Sequence, residues 1–193
     1  MHGQLDIFGA GPALPEGFTY QRDVITPADE EALVAHIGAL PFREFEFHGY
    51  VGKRRVVSFG WQYDFAARLL RRVDDMPPFL VALRGVAAAV AGLPAASLQH
   101  VLVTEYGPGA AIGWHRDKAV FGEVVGLSLR SPCTFRLRRA LGDGWERVSI
   151  TAEPRSAYVL RGPARSEWEH SIPAVDALRY SITFRNLRED AAA

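Results

Sequence analysis

The chain has 193 residues, of which 48% are hydrophobic, and its 22 basic residues balance its 22 acidic ones. This length and composition predict a single domain with a buried core over residues 1–193, and the zero net charge excludes a general basic surface that attracts nucleic acid. The one cysteine, Cys133, excludes an internal disulfide and a cysteine-based zinc cluster, and the N-terminus lacks the pattern of a signal peptide. Together these features predict a protein of the reducing cytoplasm.

The first half of the chain shows two helical patterns. Before them, residues 1–20 are rich in Gly and Pro and are expected to form an extended segment. The stretch "TPADEEALVAHIGAL" predicts a helix that begins after Thr26, a suitable N-cap, with Pro27 in its first turn. "PPFLVALRGVAAAVAGLPAAS" predicts a second helix, because its large apolar residues recur at helical spacing. Arg84 interrupts that stretch, so a helix with one buried face is favoured over a membrane span, and no membrane partner is expected.

Between the two helices, "FEFHGYVGKRRVVSFGWQYDF" predicts a strand, a turn at Gly49 to Gly52 and a second strand. Four aromatic residues alternate along the second strand and are expected on one of its faces: Phe59, Trp61, Tyr63 and Phe65. For Phe59 and Phe65 a core position is the simpler interpretation. Trp61 and Tyr63 are candidates to stack on or bond a flipped base, with Arg54 and Arg55 nearby for phosphates.

The second half, from Leu98, consists of short β-rich runs separated by Gly, Pro, Asp or Ser, among them "LQHVLVTEY", "EVVGLSL" and "SAYVLRG". We therefore predict an α+β fold: a double-stranded β-helix (jelly roll) with the N-terminal helices packed on one sheet. In "TFRLRRA", alternation sends Arg136 and Arg138 to the same strand face. That pair could hold a nucleic-acid backbone or belong to a solvated outer face.

The stretch "GWHRDKAVFGEVVGLSLRS" places polar residues directly before an apolar strand. If the strand extends that far, His115 and Asp117 project to the same face, because residues two apart do so. With a second histidine they would form the ligand triad of non-haem Fe(II) oxygenases, which leaves coordination positions open. The alternative is a polar loop before a buried strand, since His-x-Asp alone is a weak signal. His170, in "SEWEHSIP", is the candidate third ligand, unless it is an ordinary loop histidine.

Near the C-terminus, "RYSITFR" alternates polar and apolar residues. Its polar members are expected to share one strand face: Arg179, Ser181, Thr183 and Arg185. Two arginines on the inner face of a jelly roll are costly unless anions meet them. A dicarboxylate would do so, because the guanidinium fork matches a carboxylate. The alternative is an exposed strand face with paired arginines.

Three of these segments, "EYGPGAAIGWHRDK", "WEHSIP" and "RYSITFR", together resemble the AlkB family of Fe(II)- and 2-oxoglutarate-dependent dioxygenases in order and spacing. The resemblance covers residues 98–188, which it identifies as the catalytic jelly-roll core. "KRRVVSFGWQYDF" is similar to the nucleotide lid of the family, so residues 41–66 are expected to form the substrate-lid region. The resemblance implies an enzyme that uses Fe(II), 2-oxoglutarate and O2.

The resemblance also implies roles for individual residues. The Fe(II) ligands would be His115, Asp117 and His170. Arg179, helped by Tyr106, would bind the distal carboxylate of 2-oxoglutarate, and Arg185 would lie near its metal-chelating carboxylate.

Three positions depart from the pattern of the family. Thr104 and Ser181 stand where the founding pattern has asparagines, which weakens hydrogen bonds around the cosubstrate without removing the arginine charges. Ala119 stands where an acidic residue often reads the damaged base. This last departure affects the choice of base more than the oxygenase chemistry.

The activity that the resemblance implies is oxidative dealkylation of alkylated bases in DNA or RNA. Its products are succinate, CO2 and an aldehyde, which is formaldehyde when the group removed is methyl. We expect a monomer with no obligate protein partner. A same-scaffold oxygenase that acts on a protein side chain or small molecule is the alternative, favoured by Ala119 and the zero net charge. A metal-binding or scaffold module without activity is a third possibility.

Overall fold

The computed structural model of the protein describes residues 14–47, 50–64, 67 and 69–188, with side chains described outside residues 45–47 and 50–52. Most of the predicted extended segment, Gly49 and Phe65 lie outside these ranges, and the rest of the turn predicted at Gly49 to Gly52 is instead the start of a strand, Tyr50–Phe59. The helices are α1 (Pro27–Ile37), α2 (Pro78–Ala91) and α3 (Gly162–Ser166), with a 3-10 turn at Ala95–Ser97. The first strands are β1 (Phe18–Gln21), β2 (Arg43–Phe47), β3 (Tyr50–Phe59), β4 (Trp61–Asp64) and β5 (Leu69–Arg72). The later strands are β6 (His100–Tyr106), β7 (Ile112–His115), β8 (Phe121–Leu129), β9 (Cys133–Leu141), β10 (Gly144–Ala152), β11 (Ala157–Leu160), β12 (Glu169–Ile172) and β13 (Arg179–Leu187).

Both predicted helices form at the expected places. Thr26 caps α1: its hydroxyl accepts a hydrogen bond from the Asp29 backbone N–H at 3.1 Å, and its own backbone N–H donates to the Asp29 carboxylate at 3.0 Å. α2 ends at Ala91 and is followed by Gly92, whose φ of 65° is the left-handed conformation that favours glycine at a helix end. In the described part of the chain, no helix is long and apolar enough to cross a membrane.

The strands form two main antiparallel sheets, which confirms the predicted double-stranded β-helix. The large sheet has the order β1-β11-β8-β13-β6-β3-β2, and the small one has the order β10-β9-β12-β7. One hydrophobic cluster joins α1 and α2 to the outer face of the large sheet. A second cluster fills the space between the two sheets. The helices therefore pack on one sheet, as predicted, and leave its inner face for a site.

Alternation along β13 sorts its residues as the sequence predicts. Tyr180, Ile182 and Phe184 belong to the cluster under the helices. The polar residues between them point to the interior between the sheets, and all are buried: Arg179, Ser181, Thr183 and Arg185. The large sheet therefore carries two arginines inside the jelly roll.

The predicted aromatic face is wrong, because Gly60 breaks the strand that was to carry it. β3 pairs with β6 in the large sheet, whereas β4 pairs with β5 in a separate two-stranded sheet. Gly60 has a φ of +78°, and a Cβ there would lie 2.1 Å from the Gln99 carbonyl oxygen. Phe59 is consequently a core residue, 7% exposed, while Trp61 and Tyr63 stay partly exposed on the β4–β5 hairpin.

Replacing Gly60 by alanine should lower the free energy of unfolding by about 2 kcal/mol or more, since the backbone conformation and the contact with Gln99 both oppose a side chain. Gly85→Ala is the matched control. Gly85 lies inside α2 with no atom within 4 Å of an added Cβ, so alanine there should stabilise the protein by about 0.5–1 kcal/mol. Urea unfolding of both variants measures the two effects, and a neutral Gly60→Ala would contradict this account of the strand break.

Candidate active site

Two histidines meet because their strands are neighbours in the small sheet. His115 is the last residue of β7 and His170 is the second residue of β12, and the two are paired in register. Their ring centroids are 4.2 Å apart. Phe135 of β9 packs against the His170 ring, with the two ring centroids 5.4 Å apart. The predicted histidine pair is thus brought together inside the jelly roll.

Asp117 joins this pair, although by a different route from the one expected. β7 ends at His115, so Asp117 lies in the following loop and strand alternation does not orient it. Its Oδ2 atom is nonetheless 3.7 Å from Nε2 of His170. Its other oxygen, Oδ1, accepts a hydrogen bond from Nε of Arg185 at 2.7 Å. The loop therefore delivers the carboxylate to the histidines with one oxygen held in place.

Both histidines are in the form that binds a metal ion. Burial lowers the pKa of His115, and burial followed by the nearby His115 lowers the pKa of His170 to about 3. Both rings are therefore neutral near pH 7, as metal ligands must be. Nδ1 of His115 lies 2.9 Å from the Gly113 carbonyl oxygen. A carbonyl only accepts, so Nδ1 carries the proton and Nε2 keeps its lone pair for a metal.

The carboxylate of Asp117 completes a set that suits a divalent cation. Burial raises its pKa, but Arg185, His170 and His115 outweigh burial and hold the pKa well below its usual range. Asp117 is therefore ionised, and its Oδ2 is buried with no hydrogen-bond partner among the described residues. In the same residues, no three His, Cys, Asp or Glu side chains, these three included, are spaced as a complete metal-binding group. An unpartnered carboxylate oxygen beside two neutral imidazoles fits a metal held on one face.

Arg179 provides a second unsatisfied group in the same interior. It is 1% exposed, and its Nη2 donates to the Ser128 hydroxyl at 3.0 Å. Its guanidinium carbon lies 4.9 Å from the centre of the Tyr106 ring. The Nε and Nη1 groups have no hydrogen-bond partner among the described residues. A buried cation with free donors is costly on its own, and a carboxylate ligand would remove that cost.

Three small hydroxyl residues lie in a row beside Arg179. Ser181 of β13 is paired with Thr104 of β6 on one side and with Ser128 of β8 on the other. Thr104 and Ser181 are the two predicted cosubstrate residues that depart from asparagine, and both are buried. Ser128 was not predicted from the sequence. The available signal was a serine inside the apolar run "EVVGLSL", at a position that faces Ser181.

Arg185 is held between Asp117 and another histidine, His100. Beyond its bond to Asp117, its Nη1 lies 3.3 Å from Nδ1 of His100. Burial and the charge of Arg185 lower the pKa of His100 well below its usual value. His100 is therefore neutral and accepts from Arg185. It was missed in the sequence, where it is one more polar residue in a strand.

Tyr158 of β11 is another interior residue that the sequence did not reveal. Its ring lies over Gly126, where a Cβ would come within 2.3 Å of the tyrosine Cζ. Burial raises the pKa of Tyr158, and the negative charge of Asp117 raises it further. The phenol is therefore a hydrogen-bond donor that faces the same interior as Asp117. A glycine opposite a tyrosine on neighbouring strands was the signal, and it depends on knowing the pairing.

Three of the five predicted substrate residues lie near the mouth of this interior. Arg54 of β3 is paired with Tyr106 on the inner face, and burial lowers its pKa. Trp61 and Tyr63 lie on the β4–β5 hairpin. The Lys118 ammonium is 5.3 Å from the centre of the Tyr63 ring, so this hairpin contacts the loop that carries Asp117. A cationic and an aromatic side chain therefore meet at the loop that carries Asp117.

The structure places Arg55 and Arg138, the other two predicted substrate residues, away from the histidines. Arg55 follows Arg54 in the strand, so it points to the opposite face, where it donates to Glu105 at 2.7 Å. Arg138 lies on the outer face of the small sheet, where it pairs with Glu169 at 2.7 Å. Its guanidinium is stacked between two tryptophans, 4.4 Å from the Trp114 ring and 4.0 Å from the Trp145 ring. These contacts fit the alternative of a solvated outer face.

Comparisons with known proteins agree with this geometry. The family described as the 2OG-Fe(II) oxygenase superfamily matches residues 42–185. An Arabidopsis thaliana "Alkylated DNA repair protein ALKBH8 homolog" is 26% identical, over 86% of this chain and 54% of its own length. A Bos taurus "Alpha-ketoglutarate-dependent dioxygenase alkB homolog 7, mitochondrial" is 38% identical, over 47% of this chain and 41% of its own length. The chain thus spans about half the length of the curated relatives it matches.

Two solved structures share the fold. One, titled "The structure of OsALKBH1", has a TM-score of 0.66 at 17% identity and covers 90% of this chain and 98% of its own. A Pseudomonas putida prolyl-4-hydroxylase has a TM-score of 0.56 at 16% identity and covers 89% of this chain and 93% of its own. The family match, the two relatives and the interior described above lead to one conclusion. The chain is similar to AlkB homologues and belongs to the 2OG-Fe(II) oxygenase superfamily, the family of oxygenases that use Fe(II), 2-oxoglutarate and O2.

Proposed function

We propose that the domain removes alkyl groups oxidatively from bases in nucleic acid and produces succinate, CO2 and an aldehyde, which is formaldehyde from methyl groups. One observation carries the proposal: two neutral imidazoles and a carboxylate with one free oxygen converge beside a buried, partly unsatisfied arginine. The two imidazoles and the carboxylate suit a metal ion, and the arginine suits a dicarboxylate. An oxidation driven by 2-oxoglutarate requires both of these in one interior. We also propose that the chain acts as a monomer in the cytoplasm.

The metal would be held by His115 through Nε2, by His170 and by Oδ2 of Asp117. When bound, Fe(II) supplies the activation of O2 at the expense of 2-oxoglutarate. The role of the protein is to fix the three ligands on one side of the metal. Arg185 contributes by holding Oδ1 of Asp117, so the carboxylate has one oxygen left for the metal. The neutral state of both imidazoles means that no proton must leave them at pH 7.

The cosubstrate would lie on the inner face of the large sheet. Arg179 has two unpaired N–H groups there for the distal carboxylate, with the Tyr106 ring against its guanidinium. Thr104 and Ser181 lie next to this pair in adjacent rows of the sheet and offer hydroxyls in place of amides. Burial of all four side chains excludes bulk water from the charged end of the pocket.

A nucleic-acid substrate is supported by the rim of the site. Arg54 and Lys118 supply positive charge for phosphates, and Trp61 and Tyr63 supply flat faces for a base. The A. thaliana relative is named as an alkylated DNA repair protein. Ala119 is exposed and has no group that can read the edge of a base, so selection among lesions would depend on shape and stacking.

The test is a panel of oligonucleotides, single- and double-stranded, DNA and RNA, that carry methylated or etheno-adducted bases. With Fe(II) and 2-oxoglutarate, at least one should lose its alkyl group, as seen by mass spectrometry, with succinate formed in equal amount. Arg54→Ala should raise the KM for that oligonucleotide about tenfold, because a charged hydrogen bond is lost. Arg55→Ala is the matched control and should change it less than about twofold, since its partner Glu105 lies on the other face.

An oxygenase that modifies a protein side chain or a small molecule remains the second candidate. The specific observation in its favour is Ala119, which leaves the rim without an acidic group for a damaged base. The outcome that selects this candidate is turnover of 2-oxoglutarate that no oligonucleotide in the panel stimulates.

A further inference from the structure

Arg165 of α3 is a buried arginine outside the proposed ligand sets. It is 7% exposed, and its guanidinium donates three hydrogen bonds to backbone carbonyls of the loop before β8 and of the first residues of β8. Nη2 donates to the carbonyl of Lys118 at 2.7 Å and to that of Phe121 at 2.8 Å, and Nε donates to that of Gly122 at 2.9 Å. These carbonyls belong to the segment that directly follows Asp117.

A second arginine makes the opposite connection. Arg116, which precedes Asp117, is exposed, and its Nη1 donates to the Ser166 carbonyl of α3 at 2.8 Å. One arginine therefore extends from the loop to the helix, and the other extends from the helix to the loop. We call Arg116, Arg165 and these four hydrogen bonds the arginine clasp.

The arginine clasp lies between the two parts of the proposed metal site. On one side it fixes the loop of residues 116–122, in which Asp117 follows Arg116 directly. On the other side, α3 ends at Ser166 and leads into β12, where His170 lies. A change in the distance between α3 and the loop would therefore change the distance between Asp117 and His170.

The chemistry of Arg165 supports a positioning role over a role in stability alone. Its hydrogen bonds go to carbonyls, and among the described residues no carboxylate forms an ion pair with it. Burial lowers its pKa, which reflects the cost of its desolvated charge. Buried arginines are frequently no more stabilising than apolar residues of similar volume. A rigid guanidinium holds three carbonyls in a fixed geometry, which an apolar residue cannot do.

We propose that the arginine clasp sets the affinity of the metal site by fixing Asp117 relative to His170, with Arg165 as the main positioning residue. The inference rests on the proposed metal ligands. Residues that orient metal ligands typically contribute about 10- to 100-fold in metal affinity. The clasp acts on backbone rather than on the ligand side chains, so it positions both ligands at once.

The experiment measures Mn(II) binding to the metal-free full chain, by the loss of the free Mn(II) signal in electron paramagnetic resonance. Arg165→Gln should weaken binding about 10- to 100-fold. Arg165→Lys, which keeps the charge but not the three-way geometry, should recover part of the loss. Arg116→Gln should weaken binding by less than Arg165→Gln, because it removes one of the four bonds. Arg139→Gln is the control: this arginine pairs with Glu146 and Glu167 at the surface near α3, and its loss should leave Mn(II) affinity within about twofold.

The outcomes separate this inference from the function on which it rests. Wild-type protein that fails to bind Mn(II), or binds it equally well after His115→Ala, would refute the metal site itself. Wild-type binding that depends on His115, with unchanged affinity in a folded Arg165→Gln variant, would refute the clasp and leave the metal site intact. If circular dichroism shows that Arg165→Gln is unfolded, Arg165→Lys and Arg116→Gln decide. Unchanged affinity in both would then overturn the proposal.

Discussion

Replacing His115 by alanine should abolish turnover of 2-oxoglutarate and lower Mn(II) affinity by more than about 100-fold, a larger effect than loss of a residue that only orients a ligand. Only two of the three proposed ligands would remain to hold the metal. One of them, Asp117, already has one carboxylate oxygen bonded to Arg185, so it cannot easily compensate for the lost histidine. The measurements are succinate production with Fe(II) and Mn(II) binding to the metal-free protein.

His36→Ala is a suitable control for the His115 variant. His36 lies in α1 and stacks on Phe79, with ring centroids 5.1 Å apart, in the layer of helices behind the large sheet. Its loss should leave turnover and Mn(II) affinity unchanged. Full activity of the His115 variant would rule out the iron ligands proposed here.

Replacing Arg179 by methionine should separate binding of the cosubstrate from stability of the fold. The affinity for 2-oxoglutarate should fall by about 3 kcal/mol or more, roughly a hundredfold or more, because the buried carboxylate would lose its cation. The metal-free, cosubstrate-free variant should be as stable as the wild type or more stable, since a buried charge with unpaired N–H groups has been removed.

Thermal unfolding with and without 2-oxoglutarate measures both parts of this prediction. The wild type should gain stability as 2-oxoglutarate is added, because a ligand that binds the folded state stabilises it, and the Arg179 variant should gain little. Arg55→Met removes an arginine that is bound to Glu105 at the surface, and it should keep the wild-type response. An Arg179 variant that is strongly destabilised yet keeps its response to 2-oxoglutarate would contradict the proposed role.

The sequence predicted those parts of the site that depend on local patterns. Alternation along β13 predicted which residues turn inward, and it is local because adjacent side chains of a strand always face opposite ways. The N-cap at Thr26 was predictable for the same reason, since it depends on residues only three apart. The resemblance supplied the pairing of His115 with His170, which are 55 positions apart and which no local rule connects.

The errors and omissions arose where the structure depends on contacts between distant strands. Tyr158 and Gly126 are informative only once β11 and β8 are known to be neighbours. Arg55 and Arg138 were placed at the site because they are basic and near relevant segments, whereas the direction of each strand face decides where such a side chain lies. Gly60 ends β3, so Trp61 and Tyr63 belong to a separate hairpin and not to the large sheet.

The β4–β5 hairpin is separate from the sheets that carry the proposed metal and cosubstrate residues. Among the described residues, β4 and β5 form no ladder hydrogen bonds with the large sheet. Substitutions along them should therefore leave the register of β3 with β6, and the position of Tyr106, unchanged. If Trp61 and Tyr63 contact the substrate as proposed, substitutions in this hairpin would change substrate selection without altering the strands that carry the metal and cosubstrate residues.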